Sequence, residues 1–144
     1  MRRALLPCLA AGLIMAGCGG GPEPTPRASA SATATKSPCG PAPEALATTP
    51  NLPPDFPTPD EVTYTAISKA GPTDIVEGYF DGDLDTGFDA YVNAFPDAGY
   101  TVTREDHEED EAEVNYEGGG SNGQVKLEEL CEGRTDLRIT IRPS

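Results

Sequence analysis

The sequence predicts an α+β domain, a twisted antiparallel sheet of about six strands in the order ββαββββ with one helix packed on one face. Three observations predict it. Glu111 to Glu117 alternates cleanly, with Ala112, Val114 and Tyr116 on one side and Glu111, Glu113, Asn115 and Glu117 on the other; this is the period of a strand with one buried face. Leu137, Ile139 and Ile141 alternate with Arg138, Thr140 and Arg142 in the same way. Leu84, Phe88, Tyr91, Val92 and Phe95 fall at i, i+4, i+7, i+8 and i+11, an apolar stripe of helical period. An antiparallel sheet with one wet face needs cover on the other, and a helix supplies it.

The chain opens on a short basic stretch, Met1-Arg2-Arg3, followed by the apolar run Ala4 to Ala16, which Pro7 and Gly12 interrupt. A spanning helix needs about 20 apolar residues, so residues 1–17 read as a removed signal. Met15-Ala16-Gly17-Cys18 resembles the lipobox of bacterial lipoproteins. There the signal is cleaved and the new N-terminal cysteine carries a diacylglycerol thioether. An ordinary secretory signal explains the same residues except for a cysteine so placed. The resemblance implies lipidation at Cys18 and an extracytoplasmic protein on the outer face of the cell membrane. One acyl chain binds a membrane marginally; two hold it stably, at about 0.8 kcal/mol per buried CH₂.

Four cysteines then reduce to one pairing. Cys8 leaves with the signal and Cys18 is the lipidation site, so Cys39 and Cys131 remain to form a disulfide in an oxidising compartment. Residues 18–50 are rich in Pro, Ala, Ser and Thr. They hold too little apolar surface to offset the entropy of ordering and read as a disordered tether. Residues 51–144 form the single folded domain.

Within it, Pro53 to Asp60 is a rigid prolyl entry, and Val62 to Ser68 and Asp74 to Asp81 form a hairpin around Gly71-Pro72. Asp83 or Asp85 caps the helix, Pro96 ends or tightens it, and Gly99 terminates it. Tyr100 to Glu105 is the third strand, with Tyr100 and Val102 inward. Glu105 to Glu111, which includes the sole histidine, His107, reads as a solvated turn. After Glu111 to Glu117, the glycines of Gly118 to Gly123 make a loose turn. Gln124 to Leu130 points Val125 and Leu127 inward, and its phase slips near Glu128-Glu129, as at a bulge. The last strand carries Leu137, Ile139 and Ile141.

Charge excludes several partners. Removing residues 1–17 takes Arg2 and Arg3 and leaves 8 basic against 24 acidic residues, a formal charge of −16. Such a surface repels nucleic acid and anionic headgroups. Asp81, Asp83 and Asp85 open a D-x-D-x-D pattern of the kind that offers oxygen ligands to calcium. Thr86 then stands where a calcium loop needs glycine, and Val92 where it needs a bidentate glutamate. A strand-to-helix turn with capping aspartates explains the same residues. One histidine, no free thiol and no nucleophile–base pattern leave no basis for catalysis, and no cofactor is implied.

Pro54-Asp55-Phe56-Pro57, Val76-Glu77-Gly78-Tyr79, Ala90-Tyr91, Ala98-Gly99-Tyr100-Thr101-Val102 and Leu137-Arg138-Ile139-Thr140-Ile141 stand in an order that resembles small secreted lipoproteins of high-GC Gram-positive bacteria. The resemblance implies location and fold alone. The expected protein is a non-enzymatic, lipid-anchored monomer that binds a protein or cell-envelope component. Its handle would be an open sheet edge or the sheet face away from the helix, with Thr63, Thr65 and Ile67 there. The alternative is a weak divalent-cation module built on Asp81, Asp83 and Asp85.

Overall fold

A computed structural model describes residues 37–144; the signal, Cys18 and most of the tether lie outside the described residues. The fold is α+β, with one helix and one six-stranded sheet. The strands are β1 (Val62–Ala70), β2 (Thr73–Phe80), β3 (Thr101–His107), β4 (Glu111–Gly118), β5 (Ser121–Cys131) and β6 (Arg134–Pro143); the helix, α1 (Leu84–Asp97), sits between β2 and β3. Their spatial order is β1-β2-β6-β5-β4-β3, and every neighbouring pair is antiparallel. Two local units, the β1–β2 hairpin and the β3–β6 meander, are thus closed into one sheet by the pairing of β2 with β6.

The turns are tighter than the glycine count implies. Gly118 pairs with Ser121, so the β4–β5 connection is the two-residue hairpin Gly119-Gly120, with φ of 57° and 72°. Left-handed backbone at both central positions suits a turn that follows the strand twist. Ser121 to Gly123 are therefore strand. The acidic run is also shorter as a turn than expected. Glu105 and His107 sit opposite Val114 and Ala112, which leaves only residues 108–110 to turn.

Three bulges interrupt the pairing: between Tyr64 and Ala66, between Val102 and Arg104, and between Glu129 and Cys131. The last lies just past the expected phase slip. The first overturns an expectation. An extra residue inverts the facing of everything beyond it, so Ile67 shares the face of its partner Val76 and not that of Thr63, while staying half exposed on the edge strand β1.

Helix α1 begins at Asp83, whose carboxylate accepts the Thr86 N–H at 2.7 Å. It runs through Pro96 to Asp97 because a missing donor in the last turn removes only one bond, and Gly99 at φ 80° ends it. Its buried face, Leu84, Gly87, Tyr91 and Phe95, packs across β4, β3, β5 and β6. Gly87 is small because a Cβ there would press on the Phe80 ring, at 3.3 Å.

The entry segment completes the core. Phe56 is buried, and Leu46 and Leu52 pack against the same cluster. The Leu46 N–H bonds the Tyr64 carbonyl at 2.8 Å. Residues 40–50, expected as tether, are thus held on the domain where they carry apolar side chains. Phe56, Phe95, Tyr100 and Tyr116 form a ring cluster with centroids 4.8–5.9 Å apart. Edge-on and offset contacts of this kind add about 0.5–1.5 kcal/mol each beyond buried area.

Candidate functional site

Cys39 and Cys131 are disulfide-bonded, with Cα atoms 5.1 Å apart. The bond is one part of a latch at the β5–β6 turn. Glu132 N–H donates to the Ser37 carbonyl at 3.2 Å, and Arg134 Nη1 donates to the Gly40 carbonyl at 3.1 Å. The Arg134 guanidinium also lies over the Tyr79 ring, 5.2 Å from its centroid. Residues 37–40 are thereby held at this end of the sheet.

The three aspartates of the D-x-D-x-D pattern are given to separate tasks. Asp81 approaches Arg134 at 3.9 Å, Asp83 caps the helix, and Asp85 bonds His107 Nε2 at 3.0 Å. The backbone N–H of Thr86 holds the Asp83 carboxyl below the usual carboxylate range. The other acidic run is equally dispersed. His107 faces α1, its ring 4.9 Å from that of Phe88, and Asp106 pairs with Arg104 at 2.6 Å. Among the described residues no group of three His, Cys, Asp or Glu side chains is placed to hold a metal ion.

The sheet face opposite α1 is assembled by register. One cross-strand row runs Glu77, Arg138, Lys126, Glu113, Asp106, and the row beside it runs Ile75, Thr140, Gln124, Asn115, Arg104. The first is a charge ladder. Glu77 meets Arg138 at 3.9 Å, and Lys126 bonds Glu111 at 2.7 Å, which raises the Lys126 pKa. Asp136, opposite Glu128 on the same face, has its pKa raised first by burial and then by Glu128 and Glu77.

The second row is uncharged in its middle and opens into a depression of about 260 Å³. Thr103, Asn115, Asn122, Gln124, Thr140 and Arg142 line it. Thr103 is the extra residue of the β3 bulge, a feature that re-aims side chains at sheet edges.

No protein-family model, curated protein or solved structure matches this chain.

Sequence reasoning marked Asn115, Thr140 and Arg142 as outward residues but not as neighbours. Alternation within each strand sets the face; only the register places Asn115, Gln124 and Thr140 in one row. Asn122 was hidden by the reading of 118–123 as a loose turn. Arg138 and Arg142 alternate together on the outward side of β6, and they part company here. Arg138 faces Glu77, whereas Arg142 faces Asn122.

Proposed function

We propose that this chain is a non-enzymatic, lipid-anchored cell-surface domain that binds a protein or cell-envelope component through the open face of its sheet. The observation that carries this is the depression on that face, lined by amides, hydroxyls and a guanidinium. The opposite face is spent on the core, under α1 and the Leu46–Phe56 segment. Polar groups set in a concavity fix the orientation of a ligand, where a flat wet face would only hydrate. Anchoring rests on the lipobox-like Cys18, and no helix among the described residues is long and apolar enough to cross a membrane. The disulfide adds to the reading, because it ties Cys39, at the end of the expected stalk, to the β5–β6 end of the sheet.

The test uses the full chain released from its anchor by Cys18→Ala. Binding to isolated cell envelopes is measured at constant ionic strength, beside Asn115→Trp, which fills the depression, and Asn93→Trp, which adds the same ring on the exposed side of α1. Saturable binding that Asn115→Trp abolishes and Asn93→Trp retains is the expected result, with matched melting curves. Absence of saturable binding, or equal loss in both variants, overturns the proposal.

A further inference from the structure

The depression on the open face points to a class of ligand. Among the described residues, Lys69, Arg104, His107, Lys126, Arg134 and Arg138 each have a carboxylate within ion-pair distance. Arg142 has none, although the chain carries 24 acidic residues against 10 basic ones. The guanidinium, unpaired among the described residues, lines the cavity and stands outside the charge ladder beside it. Around it the lining is neutral and hydrogen-bonding: the carboxamides of Asn115, Asn122 and Gln124 and the hydroxyls of Thr103 and Thr140.

Gln124 has a defined orientation. Its Nε2 donates to Glu113 at 2.8 Å, which leaves its carbonyl oxygen available as an acceptor. Arg142 supplies only donors, the threonines supply both, and each asparagine offers a donor pair and an acceptor. Such a set matches a ligand rich in hydroxyl groups that carries one oxyanion. A guanidinium fork receives a carboxylate in bidentate fashion.

Size narrows the choice further. Asn115, Gln124 and Thr140 lie on three successive strands and so span about 10 Å, while Asn122 and Arg142 lie one pleat repeat, about 7 Å, along the strands. The volume falls just below the ~300–1,000 Å³ of sites that enclose a whole small molecule. One ring of a longer chain laid across the sheet fits it. An apolar side chain of a peptide finds little to meet there, since the lining side chains are polar apart from Tyr116, whose ring is buried in the core.

We infer that this depression binds a sugar residue of an acidic glycan, with the carboxylate on Arg142 and the ring hydroxyls on Asn115, Asn122, Gln124, Thr103 and Thr140. The inference rests on the surface-binding reading above and names its ligand class. Glu113 and Glu117 border the site, so an anion gains only where its charge falls on Arg142. Acidity elsewhere on the face then excludes polyanions that present charge on every side.

The experiment titrates the full-length Cys18→Ala protein at constant ionic strength with a trisaccharide bearing a single galacturonate ring, a neutral trisaccharide of equal length and an acetylated tripeptide with a free C-terminal carboxylate. Side-chain amide resonances of Asn115, Asn122 and Gln124 report binding directly. The trisaccharide with the single galacturonate should saturate these shifts, and Arg142→Gln should weaken it by about tenfold to a hundredfold, as for loss of a charged hydrogen bond. Arg138→Gln, outside the cavity, should leave the affinity unchanged. Equal affinity for the neutral sugar or the tripeptide, equal effects of the two arginine variants, or no saturation overturns the assignment. If envelope binding that Asn115→Trp abolishes persists alongside such a failure, the glycan assignment alone falls and the surface-binding reading stands.

Discussion

The ring of Phe56 meets the ring of Tyr116 edge-on, with centroids 5.3 Å apart. One belongs to a prolyl segment before the first strand and the other to the centre of the sheet, so the segment is part of the core. Phe56→Ala should therefore cost about 3–5 kcal/mol, the range for removing a buried aromatic ring. Denaturant unfolding of the purified protein measures it; a cost under about 1 kcal/mol would show that the segment merely rests on the surface.

Tyr91 carries the opposite sign. Its ring is fully buried while its hydroxyl meets no hydrogen-bond partner among the described residues, and burial drives its pKa well above the usual tyrosine value. A buried unsatisfied polar group costs about 1–3 kcal/mol. Tyr91→Phe should raise the melting temperature, and a fall would show that the hydroxyl is satisfied in solution.

The Cys39–Cys131 bond closes a loop across a sequence separation of 92. Chain entropy assigns such a crosslink about 4–5 kcal/mol. The double Cys→Ser variant should lose stability on that scale, seen as a lower denaturant midpoint with the slope raised by a less compact unfolded chain. An unchanged midpoint would mean that Arg134 and the Glu132–Ser37 contact hold the segment without it.

Two aspartates should respond to pH in opposite ways. Asp83 has a lowered folded pKa, so it stabilises the fold above the unfolded value near 3.9, and the contribution is lost as pH falls through the folded pKa. Asp83→Ala should cost about 1 kcal/mol at neutral pH, equally in calcium and in chelator, because its partner is the Thr86 N–H. Asp136 has a raised folded pKa, so its favourable contribution is complete below about 3.9 and is lost as pH rises through the folded pKa. Asp136→Asn should accordingly stabilise the protein at neutral pH and leave less to gain on acidification. Thermal melts from pH 3 to 8 separate the two; parallel responses would contradict the assignment.

Much of the fold was legible in the sequence, because burial writes itself as period. Val114 and Leu137 announce strands, and Leu84 to Phe95 announces a helix, without any knowledge of partners. What stayed hidden depends on non-local pairing or on residues without an apolar signature. The joining of β2 to β6 brings together Val76 and Ile139, which are 63 residues apart in sequence, and no local pattern encodes it. The bulge after Tyr64 inserts a threonine into a run that alternates acceptably either way, so strand period alone does not place Ile67 on the face of Val76. Leu46 is a lone leucine in a Pro-, Ala- and Thr-rich stretch whose average composition reads as tether, and Leu52 and Phe56 sit in a prolyl entry that shows neither strand nor helix period. The candidate site was visible only as scattered outward residues, since an amide-lined cavity is a product of register.

The central claim, that the open face of the sheet contacts the envelope, is tested most directly on cells. A photoreactive side chain placed at Asn115 in the lipidated, full-length protein should crosslink to envelope material on irradiation. The same group at Asn93 on α1 should not. Adducts at Asn115 alone are the predicted result; none at Asn115, or equal yields at both positions, would contradict the account.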